Sequence, residues 1–286
     1  MALGLLAPLP ACSACQPVAQ VPLRVVEGFP IVAARIGAAA VGMVLDTGSE
    51  GNWVVPEAAA SAGLRALPGV SVPVIGTGGM GQAPAVLVEG VRLGDVLLPP
   101  LAAPVAPLPV LPHSSPPIAG LLGVAPLLEA YDLELDGPAG SMRLFPAGSC
   151  RVPDGMAALP LETTDDREML LPVRVNGQVL TAILDTGSRA TLMTEAGARR
   201  VGLSAPVSAN TARGVDGALL PVGHARAEIA VGEDVRRDAP VDIAPMQLGR
   251  AEMLLGEDYL GQRRVWVSFT RGVLGIAVPS PAASAR

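Results

Sequence analysis

At 286 residues, with half of them hydrophobic and only 2% aromatic, the chain has length for two lobes whose cores must be built from Ala, Val and Leu. A net charge of −6 lacks the basic footprint of a nucleic-acid binder. All 20 basic residues are arginines, so a P-loop lysine, a Schiff-base lysine and a Ser-Lys dyad are excluded. The two histidines, His113 and His224, are too few and too scattered for a His-based metal site, and neither a metal nor a cofactor is expected.

Taken in order, residues 1–20 read either as an export signal, an apolar stretch followed by small residues and a cysteine, or as a disordered N-terminus. Export would place the protein in the periplasm or on a lipid anchor. In an oxidising compartment Cys150 could pair with Cys12 or Cys15, leaving one cysteine over. No segment is long and apolar enough to span a bilayer as a helix. From Leu23 onward, LRVVEGF, PIVAARIG and VGMVL read as a three-stranded meander that runs into Asp46-Thr47-Gly48-Ser49. A short helix follows, opened by Pro56 and closed at Gly63. Residues 71–92 form two strand-like runs around a Gly-rich tip, Gly76 to Gly81, with no Lys-Ser or Lys-Thr to make it a phosphate loop. Residues 99–117 are a stiff Pro-rich connection, Leu121-Leu122-Gly123 is a further apolar strand, Pro126 opens a helix, and DLELDGPAGSMRLF is a hairpin. Residues 151–160 have linker composition.

The plan then repeats. LTAILDTGSRATLMT delivers Asp185 into a second Asp-Thr-Gly-Ser turn 139 residues after the first, Thr194 and Gly202 bound a second short helix, and Leu254-Leu255-Gly256 repeats the apolar-apolar-Gly element. ANTARGVDGALLPVGHARAEIAVG supplies a second hairpin with Gly214 to Gly217 at its tip, and RRVWVSFTRGVLGIA closes the chain before a small polar tail, 280–286. A lone Asp-Thr-Gly-Ser is more often a surface turn than a site. Two in equivalent contexts are a repeat.

On these residues the chain resembles a bilobal aspartic protease, two retropepsin-like lobes fused in the pepsin manner. The first turn, with Trp53, Val54 and Pro56 after it, is similar to the pepsin-type first lobe, and the second to bacterial retropepsin-like domains. The resemblance implies an all-β fold of two homologous β-barrel lobes, residues 21–150 and 161–279, related by a pseudo-two-fold axis, with few short helices. It implies a catalytic dyad of Asp46 and Asp185 that shares one proton. Thr47 and Thr186 would cross-brace the turns, Gly48 and Gly187 would admit backbone amides to the carboxylates, and Ser49 and Ser188 would donate their hydroxyls to the outer carboxylate oxygens. Ile75, Gly76, Thr77, Gly78 and Gly79 would be the flap, closing over Trp53, with Gly214 on the second hairpin. The flap departs from the pepsin pattern in lacking a tyrosine near its tip.

Peptide hydrolysis needs a group to deprotonate water and another to protonate the scissile carbonyl, and two adjacent carboxyls supply both. The expected substrate is a polypeptide in extended conformation, cut by a monomer at acidic pH, since hydroxyl donation would hold the pair's pKa down. The alternative is an inactive bilobal relic that binds peptides in the cleft without cutting them.

Overall fold

A computed structural model describes residues 15–76, 79–124, 127, 129–204, 210–214 and 216–277. Cys12, Thr77, Gly78, Pro126 and the tail at 280–286 lie outside the described residues.

The first lobe begins with three antiparallel strands, Ala19–Val26, Phe29–Ile36 and Ala39–Leu45. Burial alternates along the first, so one face packs on the core and the other meets water. The third is different: its last five residues, Val41 to Leu45, are all buried. That continuous apolar run matches its place in the sheet, between Phe29–Ile36 and the parallel strand Ile118–Leu122. Ile118–Leu122 also pairs, antiparallel, with Trp53–Val54 on the far side of the Asp46 turn. Leu121 faces Val44 and Leu122 faces Leu45 in register.

The second lobe repeats this arrangement. Gln178–Leu184 carries its apolar end to Asp185, and Met253–Leu255 lies parallel to it and antiparallel to Leu192–Thr194. Leu254 faces Ile183 and Leu255 faces Leu184. Pairing of Met169–Val175 with Gly223–Val231 closes the lobe's sheet on itself. The helix Glu195–Arg200 starts where expected, with the Thr194 hydroxyl accepting from the Gly197 N–H at 3.0 Å. The expected all-β fold of two barrel lobes with few short helices is the fold of the chain.

One feature of the seam was not visible in the sequence. Strands from both halves join in a single 12-stranded sheet, where Tyr131–Asp136 pairs with Arg264–Ser268 and Leu133 faces Val267. Met156–Pro160, within the stretch of linker composition, is the outermost strand of that sheet, paired with Val273–Ala277. Its alternation is too short and too Pro-flanked to read as a strand, and the partner strand is remote in sequence.

A disulfide joins Cys15 to Cys150, tying the start of the first strand to the end of the first lobe across a sequence separation of 135. Closing so long a loop restricts the unfolded chain, so Cys150→Ser should lower unfolding stability by about 2–4 kcal/mol. Mass mapping of non-reduced peptides checks the pairing: a Cys15–Cys150 cross-linked peptide is expected, and free thiols at both positions would contradict it.

Candidate active site

Each Asp-Thr-Gly-Ser turn is held by the strand beside it. The Asp46 N–H donates to the Leu122 carbonyl at 3.0 Å, and the Asp185 N–H to the Leu255 carbonyl at 3.1 Å. The Val124 and Glu257 amides then reach back to the Ser49 and Ser188 carbonyls, at 3.0 and 2.8 Å. Such contact leaves no room for a side chain after either Leu-Leu. A Cβ on Gly123 would fall 2.3 Å from the Gly51 carbonyl oxygen, and one on Gly256 would fall 2.4 Å from that of Ala190. The glycine in each apolar-apolar-Gly element is therefore required by close backbone approach.

Between the turns lies a reciprocal brace. The Thr47 N–H donates to Thr186 Oγ1 at 3.0 Å and the Thr186 N–H to Thr47 Oγ1 at 2.9 Å. Each hydroxyl passes its own proton across the seam, Thr47 to the Leu184 carbonyl at 2.8 Å and Thr186 to the Leu45 carbonyl at 2.7 Å. Both threonines are buried, so each hydroxyl has its donor and acceptor capacity used without water. This is the cross-brace expected of these residues.

The brace brings the carboxyls together. A Cβ on Gly48 would fall 2.6 Å from the Asp185 carboxyl carbon, and one on Gly187 would fall 2.4 Å from that of Asp46, so each glycine makes room for the opposite lobe's carboxylate. Amides aim at the carboxylate of their own turn, Gly48 N–H to Asp46 Oδ1 at 3.0 Å and Ser188 N–H to Asp185 Oδ1 at 3.1 Å.

The serine hydroxyls do something other than expected. Ser49 Oγ donates to the Gly51 carbonyl at 2.9 Å and Ser188 Oγ to the Ala190 carbonyl at 2.8 Å, so they tighten the turn and leave the carboxylates to the amides. The electrostatics follow. Burial raises both carboxyls above the ordinary aspartate range. The charge of Asp185 raises Asp46 further, and the amide bonds of each turn only partly offset the rise. A pair held low by serine hydroxyls is thus replaced by one held high by desolvation.

Two polar residues that the sequence analysis did not single out support the turns. Asn52 Oδ1 accepts from the Gly123 N–H at 3.0 Å, and Thr191 Oγ1 accepts from the Gly256 N–H at 3.3 Å while donating to Asp258 Oδ1 at 2.8 Å. Each lies six residues after its aspartate. That equal offset was the available signal, hidden because Asn and Thr differ in type.

Over the seam, the first hairpin (Arg65–Gly76 with Gly79–Val88) and the second (Thr211–Arg213 with Leu219–Pro221) approach each other. A Cβ on Gly76 would fall 2.5 Å from Asp216 Oδ2, and one on Gly217 would fall 3.0 Å from Pro109. Gly214 closes the second turn, its N–H on the Ala218 carbonyl at 2.9 Å. Gly76 and Gly79 are the strand residues nearest the first tip and pair with each other, and Ile75 pairs with Met80 one step back. Trp53 is not at the tip. It is buried with Phe29, Leu108 and Leu121 beneath the flap strand's Val74, and its indole N–H donates to the Ala106 carbonyl at 3.3 Å. The flap thus meets the other lobe's hairpin, and the tryptophan anchors the Pro-rich segment that supports it.

Behind the brace, a small cavity is lined by Leu45, Leu184, Thr186, Gly137, Gly261 and Glu257. Glu257 is 6% exposed, and burial, helped by the charge of Asp258, pushes its carboxyl up to about 8. A carboxyl raised on folding binds its proton more tightly in the folded state. The stability it contributes is full below the unfolded value and is lost as pH climbs through the folded one. The raised dyad acts in the same direction. Melting temperature is therefore expected to fall as pH rises from the ordinary glutamate value towards about 8, and Glu257→Gln should flatten that decline. A melting temperature that rises over this interval, or a decline unchanged in the variant, would contradict the assignment.

Comparison with known proteins agrees with this geometry. Residues 171–262 match the family described as gag-polyprotein putative aspartyl protease, and residues 32–125 match the family described as aspartyl protease. No curated protein matches in sequence. Among solved structures, an aspartic proteinase from Irpex lacteus is similar over 93% of this chain and 98% of its own, at 13% identity and a TM-score of 0.60. Basic 7S globulin from soybean is similar over 94% and 96%, at 14% identity and a TM-score of 0.51. With an aspartyl protease family matched in each half and the fold of an aspartic proteinase along nearly the whole chain, the sequence and the fold together support a bilobal, pepsin/retropepsin-like aspartic protease.

Proposed function

We propose that the protein is an aspartic endopeptidase that hydrolyses peptide bonds with a water activated between Asp46 and Asp185. The observation that carries this reading is the pair of carboxyls, one from each lobe, brought to the braced seam, each filling the space that a Cβ on the opposite turn's glycine would need. Two like charges this close do not both ionise, so over a range of pH the pair holds one proton. The ionised member takes a proton from water as the water oxygen adds to the scissile carbonyl carbon, and the protonated member gives its proton to the carbonyl oxygen. Reversing the roles returns a proton to the amide nitrogen, and the C–N bond breaks to give an acid and an amine. No covalent enzyme intermediate is needed. Carboxyl orientation comes from the threonine brace, and water is limited by the two hairpins above.

The protein acts as a monomer in this reading, because both halves of the dyad lie in one chain. It acts after export, a proposal supported by the Cys15–Cys150 bridge, since disulfides persist mainly in oxidising compartments. Among the described residues no helix is long and apolar enough to cross a membrane.

Cleavage of a mixed peptide library, with and without a hydroxyl-bearing transition-state mimic, tests the activity. Asp46→Asn and Asp185→Asn should each abolish cleavage with the fold retained, and the double variant should lose little more, because the carboxyls act as a unit. Bound but uncut peptides in the wild type would assign the chain to the non-catalytic alternative. Because both carboxyls are raised, the bell-shaped profile of kcat/KM should have its limbs above the ordinary aspartate range, and Ser49→Ala with Ser188→Ala should leave the acidic limb in place. A limb that moves upward in the serine variant would restore the hydroxyls to the carboxylates.

A further inference from the structure

We propose that the cleft is electrically polarised along the path of its peptide, basic at the Arg189 end and acidic at the Glu50 end, and that it selects peptides carrying opposite charges on the two sides of the scissile bond. The inference rests on the peptide-cleft reading above.

The residue following each Asp-Thr-Gly-Ser turn differs in sign between the halves: Glu50 in the first, Arg189 in the second. Each reaches across the seam to the first hairpin turn of the opposite lobe. The Arg189 stem packs 3.2 Å from where a Cβ on Gly28 would lie, and its guanidinium stands 5.3 Å over the Phe29 ring. Glu50 Oε1 lies 3.9 Å from Arg167 Nε, in the turn between Glu162–Thr163 and Met169–Val175. These are one contact repeated by the pseudo-two-fold, so Glu50 and Arg189 flank the dyad on opposite sides. The Arg189 end faces the substrate side of the seam, because Phe29 shares its cluster with Trp53 and Leu108, on which the flap strand's Val74 packs. An extended peptide lying across both carboxyls under the hairpins passes one end and then the other.

The charge at the two ends is unequal. Arg189 is exposed and forms no ion pair among the described residues, and Glu27, the acid of the turn it packs on, forms none either. At the other end Arg167 is shared between Glu50 and Glu129, which stay 64% and 59% exposed, and the same turn adds the exposed Asp165 and Asp166. Four carboxylates to one guanidinium attract a cation, whereas at the other end Arg189 and Glu27 balance in number and the guanidinium laid on the Phe29 ring is the group that attracts an anion. Rim charges of this kind set preference and encounter more than raw affinity. The expected discrimination is about two- to fivefold per charge, the range that exposed ion pairs carry, and it weakens with salt.

The test is a matched peptide set around one cleavable core, with Asp or Arg placed at each position outward on either side and each rate divided by that of the neutral-flanked peptide. A second set with a reduced scissile bond reads binding alone. The wild type should favour the acid on one side and the base on the other, less so as salt is raised. Arg189→Gln should erase the acid preference and Arg189→Glu should invert it, with the opposite side unchanged. Glu50→Gln should weaken the base preference only. A charge-blind cleft, the same sign preferred on both sides, or an acid preference surviving Arg189→Glu would overturn the inference. If the reduced-bond peptides bind with the expected polarity and none of the cleavable set is cut, the peptidase reading fails and the polarised cleft stands; if none of them binds, both fail.

Discussion

The structure depends on the reciprocal hydrogen bonding of Thr47 and Thr186 at the point where the lobes meet. Each threonine amide donates to the opposite hydroxyl, and each hydroxyl donates to the carbonyl that precedes the opposite aspartate. Four backbone groups that a buried turn would otherwise leave unpaired are satisfied only when the two lobes come together. An unpaired buried group of this kind costs about 1–3 kcal/mol, so the dyad's geometry and the docking of the lobes are one constraint. The shared 12-stranded sheet spans the same seam at the Leu133–Val267 pairing, and the two devices fix the relation of the halves independently.

From that constraint follows the electrostatics. Burial at the seam raises both carboxyls, the charge of Asp185 raises Asp46 further, and the turn amides offset only part of the rise. Glu257, behind the brace, is raised by the same burial. Three carboxyls at the seam therefore favour the protonated state, and the protein's stability and chemistry lean towards the acid side of their raised values for a common reason. The flap region obeys a different logic. Its two hairpins meet through Gly76 and Asp216, and Pro109 of the Pro-rich segment meets Gly217, so the ceiling of the cleft is contributed by both halves, as its floor is.

Much of this was legible in the sequence because the chain says it twice. The repeated Asp-Thr-Gly-Ser turn, the repeated Leu-Leu-Gly strand and the Thr194 cap are local patterns, and local patterns fix the meanders and the turns, whereas the threonine brace was legible only through the family resemblance. What escaped were relations set by tertiary approach. Met156–Pro160 becomes a strand only because Val273–Ala277 offers it an edge. Ser49 and Ser188 stand next to carboxylates in sequence, yet their hydroxyls find nearer carbonyls at Gly51 and Ala190. Asn52 and Thr191 hold equivalent amides with different side chains, so identity of position was masked by difference of type. The rise of the dyad comes from burial, which a sequence of turn residues does not display.

The central claim is that Asp46 and Asp185 titrate as one coupled pair at the lobe seam, and carbon-13 NMR titration of labelled aspartates tests it most directly. The account predicts two macroscopic steps, both above the ordinary aspartate value, each sensed at both carboxyl carbons. In Asp185→Asn it predicts a single remaining step at Asp46, moved down by loss of the neighbouring charge but kept high by burial. Two independent steps at the ordinary value, with Asp46 indifferent to the Asp185→Asn change, would contradict it.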